Sequence, residues 1–189
     1  GLNEAELTFS NVKSYAAPRR LAILIENLQG AQADKTVQKR GPAVQAAFQA
    51  DGTPSKAALA FAQSCGVEFD QLERLKTDKG EWLSFTQWHR GQATVELLPD
   101  IIRNAIHELP IAKRMRWGSS RNEFVRPVHW VVLLFGNKVI DAEILGIRAG
   151  NRTRGHRFMH PGELELQAPT DYAELLREPG KVIASFEER

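Results

Sequence analysis

The sequence has little of what builds disulfide-linked, secreted or membrane-spanning proteins. Its 189 residues contain one cysteine, Cys65, which excludes an internal disulfide framework and indicates a reducing compartment such as the cytoplasm. A transmembrane helix needs roughly 20 apolar residues, and the longest apolar run, Trp130–Phe135, is far shorter. No secretory signal opens the chain. The start without methionine and the uncapped end at Phe186–Arg189 are typical of a piece of a longer protein.

Motifs of nucleotide-binding, hydrolytic and zinc proteins are missing as well. The chain has no phosphate-binding glycine loop, no nucleophile elbow and no pair of cysteines at metal-ligand spacing. His156 and His160 have the spacing of two zinc ligands on a helix. However, Gly155 and Pro161 flank them and no glutamate follows His156, so we expect no helix and no metal there. No acidic pair suggests acid–base catalysis, and we predict no catalytic residue.

Positive charge is concentrated in the middle of the chain. Residues 113–157 contain ten Lys and Arg against three Asp and Glu, whereas residues 158–189 contain three against seven. A basic segment of this kind favours a polyanionic partner, although a solvated basic face explains the counts equally well. The three acidic residues of the segment, Glu123, Asp141 and Glu143, are interpreted as salt-bridge partners.

Periodicity and turn residues in the first part of the chain predict strands and two helices. We expect strands at 12–16 and 20–25 around Pro18, and a hairpin of 72–78 and 81–90 around Lys79-Gly80. Thr53-Pro54 predicts a helix start, and Gly66 predicts its end. A longer helix follows Thr94, with an apolar stripe formed by Val95, Leu98, Ile102, Ala105 and Leu109.

The remaining residues predict an irregular basic connection followed by a second hairpin. Its strands are 128–135, apolar on both faces and therefore central in a sheet, and 138–147, joined at Gly136-Asn137. A strand at 163–167, a helix capped by Thr170 and a final strand around Val182 complete the chain. The fold class is therefore α+β, with mostly antiparallel sheets, hairpins and a few packed helices in two lobes, residues 1–110 and 111–189.

Residues 148–157 contain four arginines and a histidine among two glycines, and we regard them as the candidate binding segment. Arginine side chains grip phosphates through two parallel hydrogen bonds, and glycines let backbone N–H groups come close. The predicted RNA-contacting residues are Arg152, Arg154, His156, Arg157, Arg116 and Arg126. A structural role, in which these arginines bridge carboxylates of neighbouring domains, remains the alternative. Near them, Trp117 is expected in the core, and the Arg19-Arg20 pair on a solvated face.

Seven sequence blocks, in the same order and spacing, resemble the β subunit of the bacterial two-subunit glycyl-tRNA synthetases. They are Tyr15–Ala22, Lys39–Pro42, Asp78–Trp82, Met115–Gly118, Phe124–Val128, Leu134–Gly136 and Arg154–Met159. The resemblance implies an α2β2 enzyme that joins glycine to tRNA-Gly, with ATP and Mg bound at the α subunit and no cofactor bound by this segment. It also implies a longer β chain that binds tRNA, with the class II active site in the α subunit.

Three roles are then open for a segment of such a β subunit. The first is positioning of tRNA-Gly for the α-subunit active site. The second is a scaffold at an interface of the tetramer, which a face shared by Trp82 and Trp88 would suit, as would an internal core. The third is editing of mischarged tRNA, as in a related region of the phenylalanyl-tRNA synthetase β chain. Editing is disfavoured because a pocket shaped for glycine already excludes larger amino acids.

Overall fold

The computed structural model describes residues 1–49, 52–78 and 80–189 of the chain. It is an α+β protein built from small antiparallel sheets and short helices, as the sequence predicted. Two compact units are present: residues 1–32 together with 92–189, and residues 33–91. This division differs from the predicted lobes 1–110 and 111–189. Pro110 follows the end of a helix, but that helix shares its core with the residues beyond 130.

The first unit opens with a hairpin of β1 (Asn11–Ala17) and β2 (Arg20–Glu26), which confirms the two predicted strands and the turn at Pro18. Because side chains alternate between the faces of a strand, the hairpin has two different faces. One carries Tyr15, which packs against Tyr172 with a ring separation of 5.4 Å. The other carries the exposed side chains of Leu21 and Ile23.

The second unit is a three-stranded sheet with helices against one face. Its elements are β3 (Lys35–Ala43), α1 (Val44–Ala47), α2 (Lys56–Cys65), β4 (Glu73–Thr77) and β5 (Gly80–His89). The strand order is β3-β5-β4, all antiparallel. The predicted β4–β5 hairpin is therefore confirmed, while Lys79 of its turn lies outside the described residues. Ala47, Ala58 and Leu83 form the buried centre of this unit.

Helix α2 begins slightly later than predicted and ends where predicted. The Ser55 side-chain oxygen, not that of Thr53, accepts the N–H of Ala58 at 3.3 Å and caps the first turn. Gly66 ends the helix in the left-handed conformation, with φ of 72°. The helix lies so close to β3 that a Cβ on Gly41 would be 2.5 Å from the Phe61 ring.

The tryptophans of β5 lie outside the buried centre of the second unit. Trp82 and Trp88 alternate with Leu83, so they occupy the opposite face of the strand. Trp88 is 59% exposed, and the Arg40 guanidinium lies 4.3 Å from the centre of the Trp82 ring. The sequence left two explanations for this face, an interface of the tetramer and an internal core. Because Trp88 is exposed, a core within the second unit does not explain its position.

The first unit resumes with α3 (Thr94–Glu108), the predicted long helix. Leu98 is buried in the core of this unit with Ile140 and Ile144. The predicted apolar stripe is correct at Val95, Leu98 and Ile102 but wrong at Ala105, which is exposed. Ile106 packs against the core instead, because it lies four residues after Ile102 on the same side of the helix.

Three two-stranded ribbons follow α3. They are β6 (Met115–Arg116) with β7 (Glu123–Phe124), β8 (Leu134–Phe135) with β9 (Lys138–Val139), and β10 (Glu143–Ile144) with β11 (Ile147–Arg148). The predicted turn at Gly136-Asn137 is confirmed, with φ of 58° at Gly136. The predicted central strand at 128–135 is wrong. A second turn at Leu145-Gly146 shortens the pairing, and the apolar residues of that run pack against the α3 core.

The last part of the first unit is a ribbon and a short helix. β12 (Arg152–Arg154) pairs with β13 (Glu163–Glu165), which confirms the predicted strand there in shorter form. The predicted helix is α4 (Tyr172–Arg177), preceded by a 3-10 turn at Pro169–Asp171. The final predicted strand is wrong: the Val182 N–H bonds to the Leu176 carbonyl, so this segment closes the end of α4.

Candidate nucleic-acid interface

The predicted phosphate-binding arginines Arg152 and Arg154 lie side by side on the exposed face of β12. Thr153, between them, is buried. In the register of the ribbon, Arg152 is opposite Glu165, and Arg154 is opposite Glu163. The two-residue alternation of a strand therefore places both guanidinium groups and both carboxylates on the same side.

Arg152 and Arg154 share one carboxylate. Nη1 of Arg152 lies 3.5 Å from Oε2 of Glu163, and Nη2 of Arg154 lies 3.6 Å from Oε1 of the same residue. All three side chains are at least half exposed, and exposed pairs of this kind contribute about 0–1 kcal/mol to stability. The second carboxylate on this side, Glu165, lies opposite Arg152 and accepts a hydrogen bond from Asn151, so Glu163 is the acid that both arginines share.

A cleft of about 320 Å³ lies beside these arginines. Its lining residues are His129, Trp130, Val131, Ile147, Arg148, Gly150, Asn151, Arg152, Thr153, Arg154 and Glu163. Arg148 is held by Asp141 through two hydrogen bonds of 3.0 and 3.1 Å. The cleft thus combines three guanidinium groups with the indole of Trp130.

Arg20 does not line this cleft but contacts residues that do. Its Nη2 donates to the carbonyl oxygens of Arg154 at 2.7 Å and Gly155 at 3.0 Å, and its guanidinium carbon lies 5.8 Å from the Trp130 ring. Burial lowers the pKa of Arg20 from its usual value, although a guanidinium remains charged at any physiological pH. The expectation that Arg20 lies on a solvated face is therefore wrong: this side chain joins β2 to β12.

His156 organises a tight turn immediately after β12. Its ring Nδ1 accepts the backbone N–H groups of Phe158 at 3.3 Å and Met159 at 3.2 Å. The backbone N–H of His156 donates to the Gly180 carbonyl at 2.6 Å. The segment is a turn, not a helix, as predicted. Because Nδ1 is occupied by the turn, only Nε2 of His156 is available to an RNA.

The other predicted contacts are not brought into this cleft. Arg116 pairs with Glu123 across the β6–β7 ribbon at 2.6 Å, and Arg126 is exposed. Neither lines the cleft, and Arg157 has its guanidinium 5.5 Å from the Phe158 ring. The interpretation of Glu123 and Asp141 as salt-bridge partners is confirmed. Trp117, expected in the core, is half-buried.

Trp130 and Arg20 were not predicted as site residues, and Arg148 belongs to the candidate binding segment but was not among the predicted RNA contacts. Trp130 was hidden in an apolar run that was interpreted as a strand. No local pattern indicates the role of Arg20, because its acceptors lie 134 and 135 residues away in the chain. These residues are brought together by the fold, and their spacing along the chain does not indicate that they are neighbours.

A second, larger cleft of about 580 Å³ lies at the end of α3. Arg114 extends along its wall and donates to the carbonyl oxygens of His107 at 2.5 Å and Leu109 at 3.4 Å. A cation at a helix C-terminus compensates the carbonyl groups left without partners there. Arg114 therefore caps the C-terminal end of α3. Two acidic residues, Glu123 and Glu143, also line this cleft.

Within residues 1–49, 52–78 and 80–189, no three His, Cys, Asp or Glu side chains are grouped so that they could hold a metal ion. In the same part of the chain, no helix is long and apolar enough to cross a membrane.

Comparison with known proteins gives the family. The family model described as glycyl-tRNA synthetase beta subunit matches residues 1–189. The chain belongs to this family. Glycine–tRNA ligase beta subunits from Hahella chejuensis and Marinobacter nauticus are 55% and 52% identical to it, and that of Escherichia coli is 52% identical. Each match covers 100% of this chain and 27% of the relative, so the chain spans about a quarter of the length of the curated relatives.

Proposed function

We propose that this segment of a glycyl-tRNA synthetase β subunit helps to position tRNA-Gly for ATP-dependent aminoacylation at the active site of a partner α subunit. The enzyme would be an α2β2 tetramer in the cytoplasm, with ATP and Mg bound by the α subunit and no catalytic residue supplied by this segment. Membership of the glycyl-tRNA synthetase beta subunit family supports the part of the proposal that concerns the parent enzyme. The cleft beside Trp130 supports the role.

The observation that carries the proposal is the excess of guanidinium groups in this cleft. Arg148, Arg152 and Arg154 line it together with one acidic residue, Glu163, while Asp141 and Glu165, which lie next to Arg148 and Arg152, are not part of the lining. A phosphate would compete with Glu163 for the Arg152 and Arg154 side chains. Because the existing contacts of 3.5 and 3.6 Å are long and exposed, exchanging them for a phosphate costs little.

Contacts of this kind position an RNA without reading its bases. They should be strongly salt-dependent, because each phosphate neutralised by an arginine releases condensed counterions. Trp130 lies about 6 Å from two guanidinium groups, 5.8 Å from that of Arg20 and 5.9 Å from that of Arg154, which fixes one wall of the cleft. Discrimination between tRNA-Gly and other tRNAs is therefore assigned to other parts of the enzyme.

The test is tRNA binding by the assembled enzyme at two salt concentrations. Arg152→Ala together with Arg154→Ala should weaken binding and reduce the dependence on salt, by about 0.7–0.9 in the log–log slope for each lost phosphate contact. Arg103→Ala is the matched control, since Arg103 is an exposed arginine paired with Asp100 away from the cleft. Equal effects of the two replacements would contradict the proposal.

Glu163→Gln should change tRNA affinity in the direction opposite to that of the arginine replacements, which makes it a more specific test. The substitution keeps the shape of Glu163 but removes the charge that masks Arg152 and Arg154. If the arginines bind phosphate, tRNA affinity should rise by a few-fold, on the order of one exposed ion pair. If they only bridge carboxylates within the protein, affinity should not change and thermal stability should fall.

A scaffold role is the second candidate, favoured by the outer face of the β1–β2 hairpin. Val12, Leu21 and Ile23 lie together on this face and are all exposed. Contiguous exposed apolar side chains usually mark an interaction surface. A scaffold would leave tRNA affinity unchanged in the arginine variants, so the binding experiment separates the two roles.

A further inference from the structure

The indole of Trp130 takes no part in the phosphate contacts proposed above. Trp130 is half-buried and lines the cleft of about 320 Å³ together with Arg152 and Arg154. Proteins that bind unpaired RNA combine aromatic rings, on which bases stack, with positively charged groups that hold the backbone. This cleft contains both kinds of group, so the base of a nucleotide is a second group that it can accommodate.

The cations nearest to Trp130 lie beside its ring and are not stacked on it. The guanidinium carbons of Arg20 and Arg154 are 5.8 and 5.9 Å from the ring centre, near the limit of about 6 Å for a cation–π contact. A stacked guanidinium comes closer, as Arg40 does at 4.3 Å from the centre of the Trp82 ring. Trp82 is therefore covered by its arginine, whereas the Trp130 ring keeps room for a flat group in the cleft that it lines.

Main-chain hydrogen bonds fix the segment that carries Trp130 to the residues that lead into β12. The Gly150 N–H donates to the Val131 carbonyl at 2.9 Å, and the Leu133 N–H donates to the Gly150 carbonyl at 3.1 Å. The indole and the arginines of β12 are thus held in position before any ligand binds, which reduces the entropy lost on binding.

Arg154 connects the phosphate contact to the indole. Its Nη2 lies 3.6 Å from Oε1 of Glu163, and its guanidinium carbon lies 5.9 Å from the centre of the Trp130 ring. A phosphate that replaced the Glu163 carboxylate would be separated from the indole by this one guanidinium group. The phosphate and the base of a single nucleotide can therefore occupy both positions.

The size of the cleft and the need for an open base face select an unpaired nucleotide. Pockets for small molecules have volumes of about 300–1,000 Å³, so a cleft of about 320 Å³ holds a ligand at the lower end of this range. A base inside an RNA duplex is stacked between its neighbours and cannot reach the indole. An unpaired base can turn outwards and stack on an aromatic side chain.

We propose that this cleft takes one unpaired nucleotide of the bound tRNA, with its phosphate on Arg152 and Arg154 and its base on the indole of Trp130. This inference rests on the proposed function, because it requires these arginines to bind RNA phosphate. Stacking on an indole tolerates any base, so the contact recognises the absence of pairing and not the sequence. The cleft therefore determines where along the tRNA this segment binds.

The first test is the affinity of the assembled enzyme for tRNA-Gly after replacement of Trp130. Trp130→Leu keeps an apolar side chain but removes the ring, and it should raise the Kd about 5-fold to 150-fold, the range for loss of one stacked base. Trp130→Phe should retain most of the affinity, because its ring still stacks. The salt dependence should not change, since no phosphate contact is lost. Trp88→Leu is the matched control, because Trp88 is 59% exposed and does not line this cleft.

Three outcomes would overturn the proposal, once circular dichroism has established that each variant is folded. Unchanged affinity in Trp130→Leu would mean that no base stacks there, as when another part of the β chain fills the cleft. Equal losses in Trp130→Leu and Trp130→Phe, or a weaker salt dependence in Trp130→Leu, would mean that the indole only supports the arginines. Equal effects of Trp130→Leu and Trp88→Leu would remove the argument from position.

Photocrosslinking tests the same contact in the enzyme without a substitution. One sample of tRNA-Gly carries iodouridine at unpaired positions, and a second sample carries it at paired positions. A crosslink to Trp130 should form with the first sample and not with the second. A crosslink to Trp130 from the paired positions, or none from the unpaired positions, would contradict the proposal.

The arginine variant separates this inference from the proposed function. If Arg152→Ala with Arg154→Ala weakens tRNA binding while Trp130→Leu does not, the arginines position the tRNA but no base stacks in the cleft, and only the inference fails. If the arginine variant binds tRNA normally, the proposed function fails, whatever the result for Trp130→Leu.

Discussion

Arg20 joins two segments of the chain that are far apart in sequence. Its Nη2 reaches the carbonyl oxygens of Arg154 and Gly155, and hydrogen bonds from a charged donor contribute about 1.5–3 kcal/mol. We expect Arg20→Ala to lower the free energy of unfolding by that amount, measured by urea denaturation. Arg19→Ala is the control, because Arg19 is exposed in the same turn. Equal effects of the two substitutions would refute a bridging role for Arg20.

Gly41 permits the close packing of α2 on β3. A Cβ at this position would be 2.5–2.7 Å from atoms of the Phe61 ring. Gly41→Ala should therefore destabilise the protein by about 1–3 kcal/mol, the usual cost of overpacking a filled site. Gly30→Ala should have little effect, since no heavy atom lies within 4 Å of a Cβ placed there. Thermal unfolding of both variants measures the difference, and a stable Gly41→Ala variant would show that Phe61 can move away.

At the scale of elements, the packing of the β1–β2 hairpin against α4 makes stability sensitive to alkaline pH. Burial against Tyr15 raises the pKa of Tyr172 above its ordinary value of 10.0. A group whose pKa is higher in the folded state contributes stability below its unfolded pKa and loses it as pH rises through the folded value. The free energy of unfolding of the wild type, taken relative to that of Tyr172→Phe, should therefore fall above pH about 10.

Denaturant unfolding of both proteins at several pH values between about 7 and 11 measures this difference. Between about pH 7 and 9 the difference should be constant, because the tyrosine is protonated in both states. A difference that stays constant to pH 11 would show that the Tyr172 hydroxyl is solvated in the folded protein.

Elements with strong local signals could be predicted from the sequence. Pro18, Gly66 and Gly136 marked turns and a helix end correctly, because each depends on the conformations open to one residue. The apolar stripe beginning at Val95 predicted α3 for a similar reason. The candidate arginines on β12 followed from composition, since guanidinium groups and glycines suit phosphate wherever the chain places them.

Features that depend on distant contacts could not be predicted. The run Trp130–Phe135 has the composition of a central strand, but alternate residues of it (Val131, Leu133 and Phe135) pack against the α3 core, and only Leu134 and Phe135 belong to a ribbon. The pairing of Arg152 and Arg154 with one carboxylate depends on the register of β12 and β13. The support from Arg20 depends on a contact across 134 residues. In each case the deciding partner is distant in sequence, where periodicity carries no information.

At the scale of the whole molecule, the second unit is inserted into the first. Residues 33–91 form one compact unit, and the chain on both sides belongs to the other. The two points where the first unit is interrupted are already joined, because the Gln32 N–H donates to the Gln92 carbonyl at 2.9 Å and Ala31 pairs with Ala93. Insertions of this kind are tolerated where the chain ends of the host unit lie close together.

Replacing residues 33–91 with a short glycine–serine linker should therefore leave the first unit folded. The Leu98, Ile140 and Ile144 core lies entirely outside the inserted residues, and closing a short loop between neighbouring ends costs little entropy. Cooperative thermal unfolding and a dispersed amide NMR spectrum of the shortened chain would confirm independent folding. A control that replaces residues 131–150 with the same linker should not fold, since it removes Ile140 and Ile144 from that core. If both shortened chains are unfolded, the first unit depends on the inserted one.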